Sequence, residues 1–225
     1  MTLLLYAITD GRGRLDGAST GVQNRPVRAV ATPGLTAMVS EHDGIPSLDA
    51  ATAWSFERVV EALMKDAAVL PARFGTAFAE PGAVRDALAA RTRALTAALD
   101  RVRDRVEVSV RVIAAARAGA QAGGRAPSAP RSGRDYMLAR LGPEREARAL
   151  ADRVGAELDP LAVASRYRLR TRAEVPVAAS FLVDHGDTAA FVRRAGALGD
   201  GLAGVDVVCT GPWPPYSFVG EDDDV

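Results

Sequence analysis

The chain has 225 residues, 48% of them hydrophobic, with one cysteine and 28 basic against 28 acidic side chains. That length holds one large domain or two small ones with a buried core. A single cysteine excludes an intrachain disulfide and a CxxC metal or redox site, and a formal net charge of zero gives no general attraction to nucleic acid or an anionic membrane.

Residues 1–8 are apolar but too short, and too poor in basic residues, for a signal peptide or a membrane span, so we expect a soluble, cytoplasmic protein. Residues 2–9, closed by Asp10-Gly11, read as a buried strand. Gly11, Gly13 and Gly17 lack the lysine and following helix of a phosphate-binding loop, and turn geometry explains them. Residues 27–31 and 35–40 flank Pro33-Gly34 and predict a hairpin, with His42 in the loop beyond, beside Asp43. Asp49 is the expected N-cap of a helix in which Phe56, Val59, Val60, Leu63, Met64 and Ala67 recur on one face. Leu70, Pro71, Arg73, Phe74 and Gly75 belong to a β-like segment, residues 68–78, with Pro71 suited to an edge or a strand end.

Pro81 opens a second helix, predicted to run on through Val84, Leu88, Leu95, Leu99 and Val102 on its inner face. The arginines on its outer face form a solvated surface rather than a nucleic-acid patch. Val106, Val108, Val110 and Val112 alternate with polar residues as in a half-buried strand. Residues 114–133, rich in Gly, Ala, Pro and Ser, predict a mobile insert. Helical character resumes near Tyr136 and runs to about Leu158, kinked or restarted at Gly142-Pro143. Residues 161–171 and 175–183 read as strands, Asp187 opens a helix, and 205–210 is the final strand, with Cys209 a small core residue. Beyond it the prolines among Gly211, Pro212, Trp213, Pro214, Pro215, Tyr216 and Phe218 exclude strand and helix and predict an extended, polyproline-like arm. Its aromatics need an apolar seat, expected near residues 70–78, or else a groove on another protein. The acidic residues 221–224 read as a solubilising tail.

From residue 106 the predicted order is β, α, β, β, α, β. The fold class is therefore α+β in two domains. The C-terminal one, residues 106–210, is ferredoxin-like, an antiparallel sheet with both helices on one face. Residues 1–105 form the other, and 211–225 the arm and tail. Two histidines and one cysteine give no zinc-binding spacing, no serine sits in a GxSxG elbow, and Asp184, His185 and Asp187 read as caps and turns. No catalytic, cofactor-binding or metal-ligating residue is expected. Two other classes stay open. A small-molecule-binding regulatory protein would show a pocket with convergent polar groups; an enzyme with an unfamiliar site would show clustered, perturbed titratable groups.

Residues 70–78 (LPARFGTAF), 133–137 (GRDYM) and 211–218 (GPWPPYSF), in that order and after Leu5-Tyr6-Ala7, resemble the gas vesicle protein L/F family. Met137 stands where leucine is expected. The resemblance spans nearly the whole chain and is most specific in the terminal segment. It implies a non-enzymatic accessory protein of gas vesicle formation, in the cytoplasm and at the vesicle, whose partner is the major shell protein, gas vesicle protein A, with further accessory proteins alongside. It implies two α+β domains, and no nucleic acid or membrane partner. A shell that excludes water needs a strongly apolar subunit, which aggregates unless a soluble partner covers it. The apolar strands of the N-terminal half, to about Arg105, make it the expected site of that contact.

Overall fold

The computed structural model describes residues 1–11, 20–114, 133–170 and 174–220, and the side chains of all of these except 114 and 133–141. Almost all of the expected mobile insert lies outside the described residues. Among them the fold is mixed α/β, with two antiparallel sheets and five α-helices. The chain divides into two units. Unit 1 joins residues 1–107 to residues 213–225; unit 2 is residues 108–212.

Unit 1 is built on β1 (Thr2–Thr9), in which Leu4, Leu5, Tyr6 and Ala7 are buried. A strand of this composition survives only at the centre of a sheet, and here it has partners on both sides. β3 (Leu35–His42) pairs antiparallel with one edge and with β2 (Val27–Thr32), while β4 (Val69–Pro71) and β5 (Ala77–Phe78) share the other edge. The β1–β3 register shifts between Leu5 and Ala7, leaving Tyr6 as a bulged residue. α1 (Ala50–Met64) starts where expected: the Asp49 carboxylate accepts from the Thr52 backbone N–H, and the Thr52 hydroxyl accepts from the Asp49 N–H. Its buried face, Phe56, Val59, Val60 and Leu63, joins Leu4, Tyr6, Met38 and Val69 in one core.

Three expectations change here. His42 ends β3, 2% exposed, rather than lying in a loop. The β-like segment gives two short strands separated by a turn. The long second helix is two, α2 (Pro81–Ala90) and α3 (Thr92–Val102). Arg91 leaves helical dihedrals, and the Thr92 hydroxyl donates back to the Leu88 and Ala89 carbonyls, an arrangement that bends helices. Beyond α3, Arg103 closes on Asp10 at the end of β1, 2.6 Å away.

Unit 2 takes up β6 (Arg105–Ala114) at Val108 and continues through α4 (Gly133–Leu158), β7 (Ala164–Leu169), β8 (Val177–Asp184), α5 (Thr188–Asp200) and β9 (Val205–Trp213). The sheet order is β7-β8-β6-β9, with β7 and β8 antiparallel from Ala164↔Leu182 to Leu169↔Val177. Of the kink or restart expected at Gly142-Pro143, the restart does not occur: α4 runs through Pro143 as one helix. Its core aligns Tyr167, Phe181 and Phe191, with ring centroids 5.8 and 5.0 Å apart. β9 corrects the reading of the arm, because Gly211, Pro212 and Trp213 belong to the strand. β9 is an edge strand, and an edge tolerates the N–H that proline lacks.

Candidate interaction site and buried network of unit 1

The segment from Leu70 to Gly75 is joined to β1 and α1 through aromatic rings. Leu70 is 1% exposed in β4 and Pro71 is buried beside it. Phe74 meets Phe56 edge-on at 5.4 Å, and Phe56 stacks on Tyr6 at 4.9 Å. Backbone bonds from Ala72 N–H to the Tyr6 carbonyl and from Leu5 N–H to the Thr76 carbonyl extend the sheet across the gap between β4 and β5. Gly75 turns the chain at φ +89°, a conformation that costs a side-chain-bearing residue energy. Arg73 is exposed. These residues are therefore mainly architectural.

The bulge at Tyr6 aims its phenol into a buried polar chain. Tyr6 Oη accepts from the Val22 N–H at 2.9 Å and lies 2.7 Å from Ser40 Oγ, which lies 2.7 Å from His42 Nε2. His42 Nδ1 faces Gln23 Oε1 at 3.2 Å, which places the ring proton on Nδ1. All donors then run one way: Tyr6 to Ser40, Ser40 to His42 Nε2. Gly21 is required beside them, since a Cβ there would stand 2.1 Å from Tyr6 Oη. Burial, followed by Arg25, lowers the His42 pKa below the ordinary histidine value, with Asp43 opposing. Burial likewise raises the Tyr6 pKa, offset in part by Ser40 and Val22. Ser40 and His42 resemble a nucleophile–base pair; Ser40 is 1% and His42 2% exposed, and His42 lines a cavity of about 290 Å³ with Arg25, Arg28, Glu41 and Asp43. Their role is to fix the loop carrying Val22 and Gln23 onto the sheet.

The C-terminal arm is docked on unit 1. Pro214 and Pro215 are buried and Phe218 is 2% exposed. Tyr216 Oη donates to Glu57 Oε2 on α1 at 2.7 Å, and Ser217 donates its N–H and its hydroxyl to the two oxygens of Glu107 at 2.8 and 2.7 Å. Glu107 is itself 5% exposed, so Ser217 supplies the bonds that make burial of its carboxylate tolerable. Burial raises the Glu57 pKa, Glu61 adding to the effect and the Tyr216 bond opposing it. The Tyr216 phenol is pushed well above its usual range by burial and by Glu57, so it stays protonated and donates. Trp213 remains about two-fifths exposed.

Between β3 and the second turn of α1, Ile45, Leu48 and Trp54 stand 60%, 68% and 67% exposed. Of the residues singled out in the sequence, Leu70, Pro71, Phe74 and Gly75 build the sheet edge and Pro214, Pro215, Tyr216 and Phe218 the docked arm; Gly211 and Pro212 lie in β9 and fall in unit 2. The Tyr136 side chain lies outside the described ones. Glu57, Glu107 and Ser40 escaped the sequence reading. The alternation Met38, Ser40, His42 was the available signal for a polar residue facing inward; nothing marked Glu57 or Glu107, whose partners are far away in the chain. Among the described residues no group of three His, Cys, Asp or Glu could hold a metal ion, and no helix is long and apolar enough to cross a membrane.

A family model described as "Gas vesicle synthesis protein GvpL/GvpF" matches residues 2–220. Two crystal structures share the fold: the gas vesicle protein GvpF from Anabaena sp. PCC7120, with a TM-score of 0.80 at 19% identity, and that from Microcystis aeruginosa, 0.78 at 16%. Each comparison covers 98% of this chain and 99% of the other. The comparison with curated proteins gave no significant match.

Proposed function

Because the chain belongs to the GvpL/GvpF family of gas vesicle synthesis proteins, we propose that it is a non-enzymatic assembly factor that binds the major shell protein, gas vesicle protein A, and limits its aggregation. The observation that carries this reading is the exposed apolar surface of Ile45, Leu48 and Trp54 on unit 1. Three large apolar side chains are exposed within ten residues; exposed apolar surface marks a protein contact where it is contiguous, and tryptophan is enriched among residues that dominate binding energy. On this reading the protein works in the cytoplasm and at the gas vesicle, beside other accessory proteins. We read unit 2 as ferredoxin-like; the order β6, α4, β7, β8, α5, β9 and the sheet order β7-β8-β6-β9 support that.

The test is capture of co-expressed shell protein by the full-length chain. Trp54→Ala and Leu48→Ser, both at exposed positions, are expected to leave unfolding midpoints unchanged within about 0.5 kcal/mol and to lose capture. Undiminished capture by the doubly substituted chain would remove this surface from the mechanism.

A further inference from the structure

β7 lies at one end of the unit 2 sheet, and among the described residues no strand pairs with its outer edge. The Arg170 N–H donates to the Pro176 carbonyl at 2.9 Å, and the register from Ala164↔Leu182 to Leu169↔Val177 fixes the alternation before it. Residues 164, 166, 168 and 170 therefore turn their N–H and C=O groups towards β8, while those of Ser165, Tyr167 and Leu169 turn outward. An edge of this kind is a template for a further strand.

The side chains follow the same period. Tyr167 donates to Asp159 Oδ1, just beyond α4, at 2.8 Å, so Ser165 and Leu169 share the helix-facing side with it. Arg166, Arg168 and Arg170 fall on the opposite face, about 7 Å from one to the next. The β8 residues directly opposite Arg166 and Arg168 are Ser180 and Ala178, which carry no charge. Arg168 and Arg170 are exposed, and among the described residues neither has a side-chain hydrogen bond or ion pair. This row of charge decides what can pair with the edge. A second copy of β7, laid antiparallel with its outward groups bonded to these, sets arginine against arginine in every register that bonds two or more of the three residues, which is destabilising. A strand with carboxylates at those positions is stabilised instead. On the helix side a groove of about 420 Å³ runs beside β7, with Gly155 and Ala156 on one wall and Tyr167 and Leu169 on the other.

We propose that the outer edge of β7 binds an extended, acidic segment of a partner protein in which acidic and apolar residues alternate. Its backbone bonds antiparallel to Ser165, Tyr167 and Leu169, and its carboxylates meet Arg166, Arg168 and Arg170. Its apolar side chains lie along the groove against Tyr167 and Leu169. This edge belongs to unit 2 and the Ile45–Trp54 surface to unit 1, and neither reading depends on the other.

Fluorescence anisotropy with the full-length chain and capped, fluorescein-labelled heptapeptides decides the matter. A peptide alternating four glutamates with three valines is expected to bind. Two controls should each bind about tenfold more weakly or worse: the same residues in blocks, four glutamates and then three valines, and the alternating peptide N-methylated at its valines, whose N–H groups face the edge. Arg168→Glu and Arg170→Glu, both at exposed positions, should each weaken the alternating peptide about fivefold or more, with circular dichroism unchanged. No binding of the alternating peptide at millimolar concentration overturns the proposal and leaves the arginines as guards against strand pairing. Equal binding of the blocked or the N-methylated peptide overturns it as well, because that is the behaviour of general charge attraction. Binding indifferent to both arginine substitutions places the peptide elsewhere and has the same effect.

Discussion

Ser40→Ala removes one oxygen from the middle of the Tyr6–Ser40–His42 chain and strands two buried groups at once. Tyr6 loses the acceptor for its hydroxyl proton, and His42 Nε2 loses its donor. Ser40 is 1% exposed and His42 2%, so water does not replace either bond. An unsatisfied buried polar group costs about 1–3 kcal/mol, and two of them about 2–6 kcal/mol, well beyond the typical substitution. Both tryptophans, Trp54 and Trp213, lie in unit 1, so urea unfolding followed by tryptophan fluorescence reads that unit. Tyr6→Phe supplies the second corner of a double-mutant cycle. It strands the Val22 N–H, but in the double variant there is no Tyr6 hydroxyl proton left to orphan. The combined loss should therefore fall short of the sum of the single losses by about 1–3 kcal/mol. A Ser40→Ala loss below about 1 kcal/mol, or a strictly additive cycle, refutes the one-way chain of donors.

The same chain makes unit 1 sensitive to mild acid. The folded His42 pKa is lowered by burial and by Arg25, so unfolded chains take up the proton near pH 6.5 while folded chains resist. More protons are then bound in the unfolded state, and stability is complete above about pH 6.5 and declines as pH falls from there towards the lowered folded value. Urea midpoints at pH 7.5 and 5.5 should differ in the wild type and much less in His42→Gln; a flat wild-type profile contradicts the assignment. For the arm, Phe218→Ala should cost about 3–5 kcal/mol of unit 1 stability, whereas Trp213→Ala, at a position 41% exposed, should cost less than half of that. Equal losses in the same fluorescence assay would mean that Phe218 is not the anchor.

Local signals carried most of the fold. The Asp49 cap, the apolar stripe from Phe56 to Leu63 and the alternation of valines from 106 to 112 became α1 and β6 because each pattern is completed by neighbours in sequence. Failures came where the outcome depended on a distant partner. Gly211 to Trp213 carry every local mark of an arm, yet β9 lies beside β6 in the sheet and the strand continues through them. His42 looked like a loop residue because polarity was taken for exposure; hydrogen bonds to Ser40 on β3 and to Gln23 in the loop before β2 make its burial acceptable. Glu107 reads as the solvent side of a half-buried strand until Ser217, 110 positions later, covers it. The helix break at Arg91 was missed for another reason: apolar periodicity persists across it, and only the Thr92 hydroxyl signals the bend.

The division of unit 1 into two pieces of sequence has a consequence in time. Ribosomes extend chains at about 5–20 residues per second, so residue 213 follows residue 107 by about 5–20 s. Through that interval the nascent N-terminal piece has no Phe218 to fill its seat, and the Glu107 carboxylate has no Ser217. Unit 2, contiguous in sequence, can finish while its predecessor waits. Residues 214–218 thus close the first unit begun, and a chain halted short of them leaves the seat of Phe218 empty and the Glu107 carboxylate without Ser217. The clasp then reports how far synthesis has gone: the first unit is sealed only on chains that have been made through residue 218.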